Sequence, residues 1–445
     1  ETNAQLVNLE TANADINIDN TTALMELNGT MNTIEINSST LETVVLNSTS
    51  TSTTFNTPLL NAISKTATLT SSGSIEVNSN QTTLSVDVET TSLTIIDNFA
   101  TTYDITLGNS GNVQLNNIQP DIIVDFSGND LTIDYNTLES ITVTGVFNNL
   151  IASSTQLDIV NLGTSTIADA TLLSSQPSMV ISGNNVGNVD LTDDAITDLS
   201  ANTPNAVLLL QTANNQLLDI DIITDEFQLN GALVPSINIQ DTSTINTLDL
   251  ATNSSGIHTL SYGNAIVPLI TVDTTENSLT INGVTTSNIT ITGVSIDTLS
   301  IDSPNSTVSV EDLAVTVTAL LIVDTIDLAS STLSTLNLNA LSTLSALTIS
   351  SSPSFTTLQT NDITIDDLTI TTDATTIAIY AQNATNTIVQ GDFITDALIH
   401  VGNNDVSLTT QDITLNLDLV ANEVNVTLDA IVFTIDNAST LTTLN

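Results

Sequence analysis

The chain has 445 residues, of which 40% are hydrophobic and only 3% aromatic, and it contains neither Trp nor Cys. Asp and Glu total 49 against one Lys and no Arg, so the formal net charge is −48 at pH 7. Nucleic acid and anionic membrane surfaces are excluded as direct ligands, because both are bound through Lys and Arg, and the absence of Cys excludes disulfides and thiolate metal sites.

The charge imbalance comes from missing bases rather than surplus acids. All charged residues together make up 11% of the chain, well below the roughly 25% typical of soluble proteins. Three functional interpretations are open: neutralisation by bound divalent cations, protonation in an acidic habitat, and removal of the cleavage sites of trypsin-like proteases. In the fourth interpretation, the lack of Lys and Arg has no function of its own and only reflects the biased composition of a low-complexity surface protein.

Short segments of the form apolar-x-apolar recur from one end of the chain to the other. This period of two places both apolar side chains on one face of a strand and the intervening Thr, Ser, Asn or Asp on the other. Frequent β-branched residues favour strands, and frequent Asn, Asp and Ser favour the corners between them. In chain order, the clearest segments are 16–18, 34–36, 279–281, 289–291, 299–301, 308–310, 363–365, 377–379, 415–417 and 424–426.

The spacing of these segments predicts an all-β parallel β-solenoid (β-helix). Segments 279–281, 289–291 and 299–301 start ten residues apart, which leaves a corner of about five residues after a strand of about five. Asn-Gly hairpin turns are rare, at Asn28 and two other positions, and only 16 Gly are present, so an antiparallel meander is disfavoured. Two segments per coil give a coil of about 20 residues, and three segments give a coil of about 30 residues. The whole chain would then contain about 15–22 coils and form a rod about 70–105 Å long.

We expect one elongated domain over residues 1–445. Eight Pro residues are scattered singly, as is typical of corners, and no linker stands out. Segment 150–235 is the least regular and could hold an insertion or a bend. No apolar run approaches the roughly 20 residues that span a bilayer. The start at Glu1 without a signal-like segment predicts either a processed mature form or an artificially trimmed chain.

With this pattern the chain resembles parallel β-helix repeat proteins of microbial cell surfaces and extracellular filaments. A weaker resemblance is to leucine-rich repeats, because residues 245–253 fit the template L-x-x-L-x-L-x-x-N. Residues 323–328 and 333–338 match the first half of that template but lie only ten residues apart, too close for successive leucine-rich repeats. A leucine-rich-repeat-like solenoid is therefore the alternative fold.

Catalysis is not expected. β-Helix polysaccharide lyases typically use Arg or Lys as the base, and Lys65 has no acidic cluster nearby in sequence. His258 and His400 cannot supply a three-His zinc site, and both lie between apolar or hydroxyl residues as ordinary strand positions do. No nucleophile elbow, phosphate-binding loop or dinucleotide fingerprint is present.

Close pairs of carboxylates suggest calcium as the one candidate cofactor, although none is required. Alternation places Asp219 and Asp221 on one strand face, where unneutralised like charges repel each other, and Ca²⁺ accepts such oxygen ligands. A solvated acidic face is the alternative, since neither an EF-hand loop nor a glycine-rich calcium repeat is present. The candidate ligands are Asp219, Asp221, Asp225, Asp362, Asp366 and Asp367.

Two surface chemistries are also open. Eleven Asn-x-Ser/Thr sequons are present, a number that chance predicts in a chain so rich in Asn and Thr, so surface glycans are open but not indicated. Thr-x-Thr pairs such as Thr290 and Thr292 are typical of ice-binding sheets, provided that Thr recurs at the same place in successive coils.

We predict a secreted, cell-surface structural protein that self-assembles into a filament, sheath or surface layer. Open solenoid ends expose unpaired backbone and must be capped or joined, and neither terminal segment resembles a cap: Leu6, Val7 and Leu9 begin one, and Leu441 and Leu444 end the other. Head-to-tail stacking into a homopolymer would satisfy both ends. An adhesin or a module that binds glycan, ice or cell surfaces is the alternative, and a glycan-processing enzyme is the least favoured.

Overall fold

A computed structural model gives the fold. It describes residues 6–20, 24–38, 43–49, 52–56, 62–64, 74–79, 83–89, 92–97, 102–108, 112–116, 121–134, 137–212, 217–231, 234–250, 257–274, 276, 278–293, 296–311, 313–329, 332–339, 344–350, 354–361, 363–402, 404–410, 414–428, 432–435 and 440–444.

The chain folds as two compact units, one made of Glu1–Thr212 with Ile223–Asp225 and the other of Ala213–Ile222 with Glu226–Asn445. The prediction of one domain over 1–445 stays a prediction. The strands of the first unit are β1 Leu6–Asn20, β2 Leu24–Ser38, β3 Thr43–Thr49, β4 Ser52–Asn56, β5 Ala62–Ser64, β6 Ser74–Ser79, β7 Thr83–Glu89, β8 Ser92–Asp97, β9 Thr102–Gly108, β10 Asn112–Asn116, β11 Asp121–Ser127, β12 Asp130–Asp134, β13 Ser140–Ser153, β14 Ile159–Ser174, β15 Ser178–Asp193 and β16 Asp198–Thr212.

Most of the next strand and all later strands belong to the second unit. They are β17 Leu217–Gly231, β18 Ser236–Ile239, β19 Thr244–Leu250, β20 Thr259–Gly263, β21 Leu269–Thr274, β22 Ser278–Gly283, β23 Asn288–Gly293, β24 Ile296–Glu311, β25 Leu313–Ala329, β26 Thr335–Asn339, β27 Leu344–Ser350, β28 Thr357–Asn361, β29 Thr364–Thr371, β30 Thr376–Tyr380, β31 Asn383–Gln390, β32 Asp396–His400, β33 Asp405–Thr410, β34 Thr414–Leu428, β35 Val432–Ile435 and β36 Thr440–Leu444.

Both units are built of parallel strands stacked one coil above the next, so the predicted β-solenoid is confirmed. In the first unit Leu6 pairs with Leu24, and Leu24 pairs in turn with Thr43. In the second, Thr280 pairs with Ser300, and Ser300 pairs in turn with Leu320. The structure therefore selects the shorter predicted coil, of about 20 residues.

Segments that are neighbours in sequence lie on opposite sides of the coil. Leu279 of β22 stacks on Leu299 of β24, whereas Ile289 of β23 stacks on Val308, which lies in the second half of β24. Each coil thus contributes one strand segment to each side, and segments that are one full coil apart become neighbours in the sheet.

The described residues form about 13 turns of parallel stacked coils. This count is lower than the 15–22 coils expected from the sequence. That range divides all 445 residues by an assumed uniform coil, whereas parts of the chain lie outside the described residues. The coil number and rod length of the full chain stay predictions.

The core is formed by the inward-pointing residues of both sides. In β11 every second residue is buried: Ile122, Val124 and Phe126. The apolar pairs of the central segments, from Leu279 to Val310, are likewise at most 1% exposed. Each such burial contributes about 1.5–3 kcal/mol of hydrophobic free energy, so the repeated alternation is the main source of stability.

The leucine-rich-repeat alternative is not what the structure shows. Strand accounts for 79% of the protein, and the described residues contain no helix, whereas a leucine-rich repeat pairs one strand with a helix or 3₁₀ segment. The two half-matches to the template lie on the two sides of a coil, one in β25 and the other mainly in β26. Their spacing in sequence is the spacing between the two sides.

Tyr262 ties three successive coils of the second unit together. Its ring lies against Gly283 in the next coil, where an added Cβ would come within 1.9 Å of the ring. Its hydroxyl forms a 3.0 Å hydrogen bond with Ser303, 41 residues on. Gly283 is needed here because any side chain would occupy the space of the ring.

Thr387 and Thr372 offer a matched test of core packing. Thr387 is 2% exposed between Leu368 and Val406, and its Oγ1 has no hydrogen-bond partner among the described residues. Because an unsatisfied buried hydroxyl costs about 1–3 kcal/mol, Thr387→Val should raise the free energy of unfolding by about 1–2 kcal/mol in urea denaturation.

The control is Thr372→Val, at an equally buried threonine. Thr372 donates to the Phe355 carbonyl at 2.8 Å and accepts from the Ala374 amide at 3.1 Å. Its replacement should lower the free energy of unfolding by about 1–3 kcal/mol. Equal effects of the two substitutions would contradict this account of the core.

Candidate functional site: the acid and donor ladder

The outward side chains form files that run along the solenoid from coil to coil. Neighbouring strands lie about 4.8 Å apart, and in a parallel stack each residue meets the residue at the same position in the next coil. A carboxylate repeated at one position would therefore lie beside another carboxylate in every coil, which is unfavourable. The outward files show how this chain avoids that repulsion without basic residues.

One file in the first unit alternates strictly between acid and amide. The register places Asp130, Asn149, Asp169 and Asn188 side by side in four successive coils. Asn149 Nδ2 donates to Asp130 Oδ1 at 2.6 Å, and Asn188 Nδ2 donates to Asp169 Oδ1 at 2.6 Å. Each carboxylate is thus separated from the next by a neutral hydrogen-bond donor.

The same arrangement recurs in both units. An Asp in one coil accepts a hydrogen bond from an Asn, Gln, Ser or Thr that lies 19–23 residues further on, in the following coil. The donor–acceptor pairs and their distances are Ser140–Asp121 2.6 Å, Gln211–Asp190 2.6 Å, Asn238–Asp219 2.5 Å, Thr242–Asp221 2.6 Å, Ser345–Asp324 2.5 Å, Ser350–Asp327 2.9 Å and Asn386–Asp367 2.9 Å.

This ladder of Asp acceptors and neutral donors, the acid–donor ladder, takes the place of surface salt bridges. Hydrogen bonds to an ionised acceptor are stronger than those between neutral groups, so each pair of Asp and donor is a favourable contact between coils. At Asp241, the backbone amide and the side chain of Asn264 both donate to the carboxylate and lower its pKa. The ladder also adds side-chain hydrogen bonds between successive coils.

The alternation is broken in both units. In the first unit the register pairs Asp104 directly with Asp125. In the second, the register places Asp405 directly beside Glu423. The Nδ2 atom of Asn425 lies 3.4 Å from Glu423 Oε1 and provides a donor within the same strand.

Two of the calcium candidates are members of the ladder. Asp219 accepts from Asn238, and Asp221 accepts from Thr242, so each of these carboxylates has a neutral donor in the next coil. Asp225 is exposed and belongs to the first unit.

The other calcium candidates lie near β29. Asp366 and Asp367 are exposed, and Asp367 accepts from Asn386. Asp362 lies outside the described residues. Within the described ranges, no group of three or more His, Asp or Glu side chains is placed to hold a metal ion. Calcium binding at these residues stays a prediction.

The histidines have ordinary neighbours in the described part of the chain. His258 Nε2 lies 3.6 Å from Glu276 Oε2, with both side chains partly exposed. The His400 ring packs edge-on to Tyr380, with ring centroids 5.5 Å apart and an interplanar angle of 87°. Lys65 lies outside the described residues.

No protein-family model, curated protein or solved structure matches this chain. Across the described residues, no helix is long and apolar enough to cross a membrane.

Sequence reasoning identified the acids but missed their partners. The signal that could have found them is the recurrence of a neutral donor about one coil after an Asp, as in Asp130 and Asn149 or Asp169 and Asn188. That signal becomes readable only when the coil length is known, because the separation varies between 19 and 23 residues.

The acid–donor ladder can be tested by placing an acid where it puts an amide. Asn149→Asp would set three carboxylates in successive coils and create two like-charge contacts, each costing about 0.2–1 kcal/mol. We expect the free energy of unfolding at neutral pH to fall by about 0.4–2 kcal/mol, as measured by urea denaturation. The loss should shrink below about pH 4, where carboxylates become protonated.

The control is Asn149→Ser, which keeps a neutral donor at the same place in the file. It should be less destabilised than Asn149→Asp at neutral pH, and its deficit should not depend on pH. A pH-independent deficit in Asn149→Asp would show that lost packing, rather than charge, is responsible.

Proposed function

We propose that this protein is a structural subunit of an extracellular filament, sheath or surface layer at a microbial cell surface, and that it does not act as a catalyst. The observation that carries the proposal is the acid–donor ladder, in which outward polar side chains form hydrogen bonds with side chains of the next coil. The side chains that a catalytic or binding site would use for a ligand are here used to join successive coils.

The geometry of the files favours a mechanical role. Catalytic groups must converge on a reacting atom within hydrogen-bond reach, whereas the files hold chemically similar groups at a constant spacing along the stack. In solenoid proteins each repeat contacts only its neighbours, so stability grows with every added coil. Side-chain hydrogen bonds between coils, such as those from Asn188 to Asp169 and between Tyr262 and Ser303, strengthen the contacts between repeats.

Assembly follows from the open geometry of a parallel stack. The end of any parallel solenoid offers backbone N–H and C=O groups that another strand can pair with. Head-to-tail contact between copies would continue the same parallel hydrogen bonding and generate an open polymer. Because each copy carries a formal charge of −48 at pH 7, repulsion between copies must be reduced by acid or by divalent cations.

Secretion is part of this proposal. A chain with one Lys and no Arg offers almost no site to trypsin-like proteases, a property of value outside a cell. The absence of Cys means that the fold does not depend on a redox environment.

A binding module is the second candidate, and one file of the second unit favours it. Thr271, Thr290 and Ser309 lie side by side in three successive coils, followed by Asp327. This short hydroxyl file partly meets the condition for an ice- or glycan-binding sheet, namely Thr at the same place in successive coils. The Asp interrupts it.

Electron microscopy of the purified protein at neutral and acidic pH, with and without Ca²⁺, tests the structural proposal. We expect long regular filaments when the carboxylates are protonated or bound by Ca²⁺, with an axial repeat of about 105 Å, the rod length that coils of about 20 residues would give. Matched ionic strength with Na⁺ alone is the control, because simple screening should be less effective than a bound divalent ion.

Dispersed single particles under every condition would overturn self-assembly. Inhibition of ice recrystallisation, or retention on a glycan array, would then support the binding module. Assembly in acid but not with Ca²⁺ would assign the neutralising role to protons alone.

A further inference from the structure

Buried hydroxyl groups occupy equivalent corners of several coils. Ser174, Thr274 and Thr372 each accept a hydrogen bond from the backbone amide two residues later, at 3.1 Å in all three cases. Each also donates its hydroxyl hydrogen to a carbonyl 17 residues earlier, at 2.6, 3.0 and 2.8 Å respectively. At these three corners the side chain both accepts and donates, and Ser154, at the same corner one coil before Ser174, likewise accepts from the amide two residues later at 3.1 Å.

Asp193 stands at this corner in the coil after Ser174. The register pairs the two residues directly, and Asp193 is fully buried. Its Oδ1 accepts from the Ala195 amide at 2.8 Å, which reproduces the accepting half of the motif. Its Oδ2 is buried and has no hydrogen-bond partner among the described residues. An ionised carboxylate has no hydrogen with which to fill the donating half.

The surroundings of Asp193 disfavour its charged form. Burial raises the pKa of Asp193, and the neighbouring negative charge of Asp194 adds to this effect, while the hydrogen bond from the Ala195 amide opposes it without cancelling it. Among the described residues, Asp194 is the one charged group that acts on it. The hydrogen of the Ser174 hydroxyl lies on the Leu157 carbonyl at 2.6 Å, so the Ser174 oxygen can act as an acceptor.

We propose that Asp193 is a proton-binding site of the first unit: its carboxyl is held neutral, and Oδ2–H takes the donating role that Ser or Thr has at the other corners. Ser174 Oγ is the acceptor that fits. Loss of this proton leaves a buried negative charge beside Asp194, so the corner opens when Asp193 ionises. Asp193 thus makes the stacking of these coils sensitive to pH.

The direction of the pH effect follows from the binding of the proton in the folded state. A carboxyl that keeps its proton on folding makes its full contribution to the free energy of unfolding when the pH is below its ordinary pKa, about 3.9. This contribution is lost as the pH rises through the higher pKa of the folded state. Between these two values, the unfolding equilibrium constant of the wild type should increase about tenfold per pH unit relative to a variant without the group.

Infrared spectroscopy of the full chain at about pH 6 tests the proposal directly, since exposed carboxyls are ionised there. We expect the wild type to show a protonated-carboxyl C=O band that is absent from Asp193→Thr, which supplies the hydroxyl used at other corners. Asp194→Asn is the control and should retain the band. The protection factor of the Ala195 amide, which corrects for the intrinsic rise of exchange with pH, should fall in the wild type as the band disappears and should not fall in Asp193→Thr.

Absence of the band in the wild type, together with parallel stability curves for wild type and Asp193→Thr from about pH 3 to about pH 8, would overturn the proposal. If Asp193→Thr does not fold, Asp193→Asn provides a second neutral donor for the difference spectrum. The band in the wild type can be measured in either case.

Discussion

The whole structure depends on one constraint: in a parallel solenoid every side chain lies beside the side chain at the same position in the next coil, about 4.8 Å away. For apolar residues this constraint is favourable, because Leu279 on Leu299 and Ile289 on Val308 build continuous buried files. For charged residues it is unfavourable, since equal charges at one position would repel along the entire stack. The distribution of acids in this chain is a response to that repulsion.

Neutral donors solve the problem without a single arginine. An amide or hydroxyl one coil after an Asp lengthens the distance between carboxylates and donates a hydrogen bond to the first, as Asn149 does to Asp130. The deficit of Lys and Arg is therefore compatible with a stable fold wherever such a donor separates two acids, and neutralisation by calcium or by an acidic habitat stays a prediction. Both remain relevant to the approach of one copy to another, because the formal net charge is undiminished.

The proposed structural role and the proposed proton site at Asp193 both depend on how carboxyl groups are hydrogen-bonded, the first on the surface and the second in the core. On the surface, carboxylates are separated by donors. At the buried corner, where Ser174 and Thr372 each donate to a carbonyl, a carboxyl can donate only in its neutral form. Acid would therefore lower the surface charge and strengthen this corner together, which links assembly at low pH to greater local stability.

The sequence by itself determined the fold class and the inward faces, because an apolar residue at every second position can be buried only in a strand; the pairs in segments 279–281 and 289–291 are buried as expected. The coil length was left at two values, since periodicity does not say which strands become neighbours. Only the tertiary structure decided that segments one full coil apart stack, that Asp219 meets Asn238, and that Asp193 is buried. These contacts join residues about one coil apart, and the varying length of the corners hides them until the register is known.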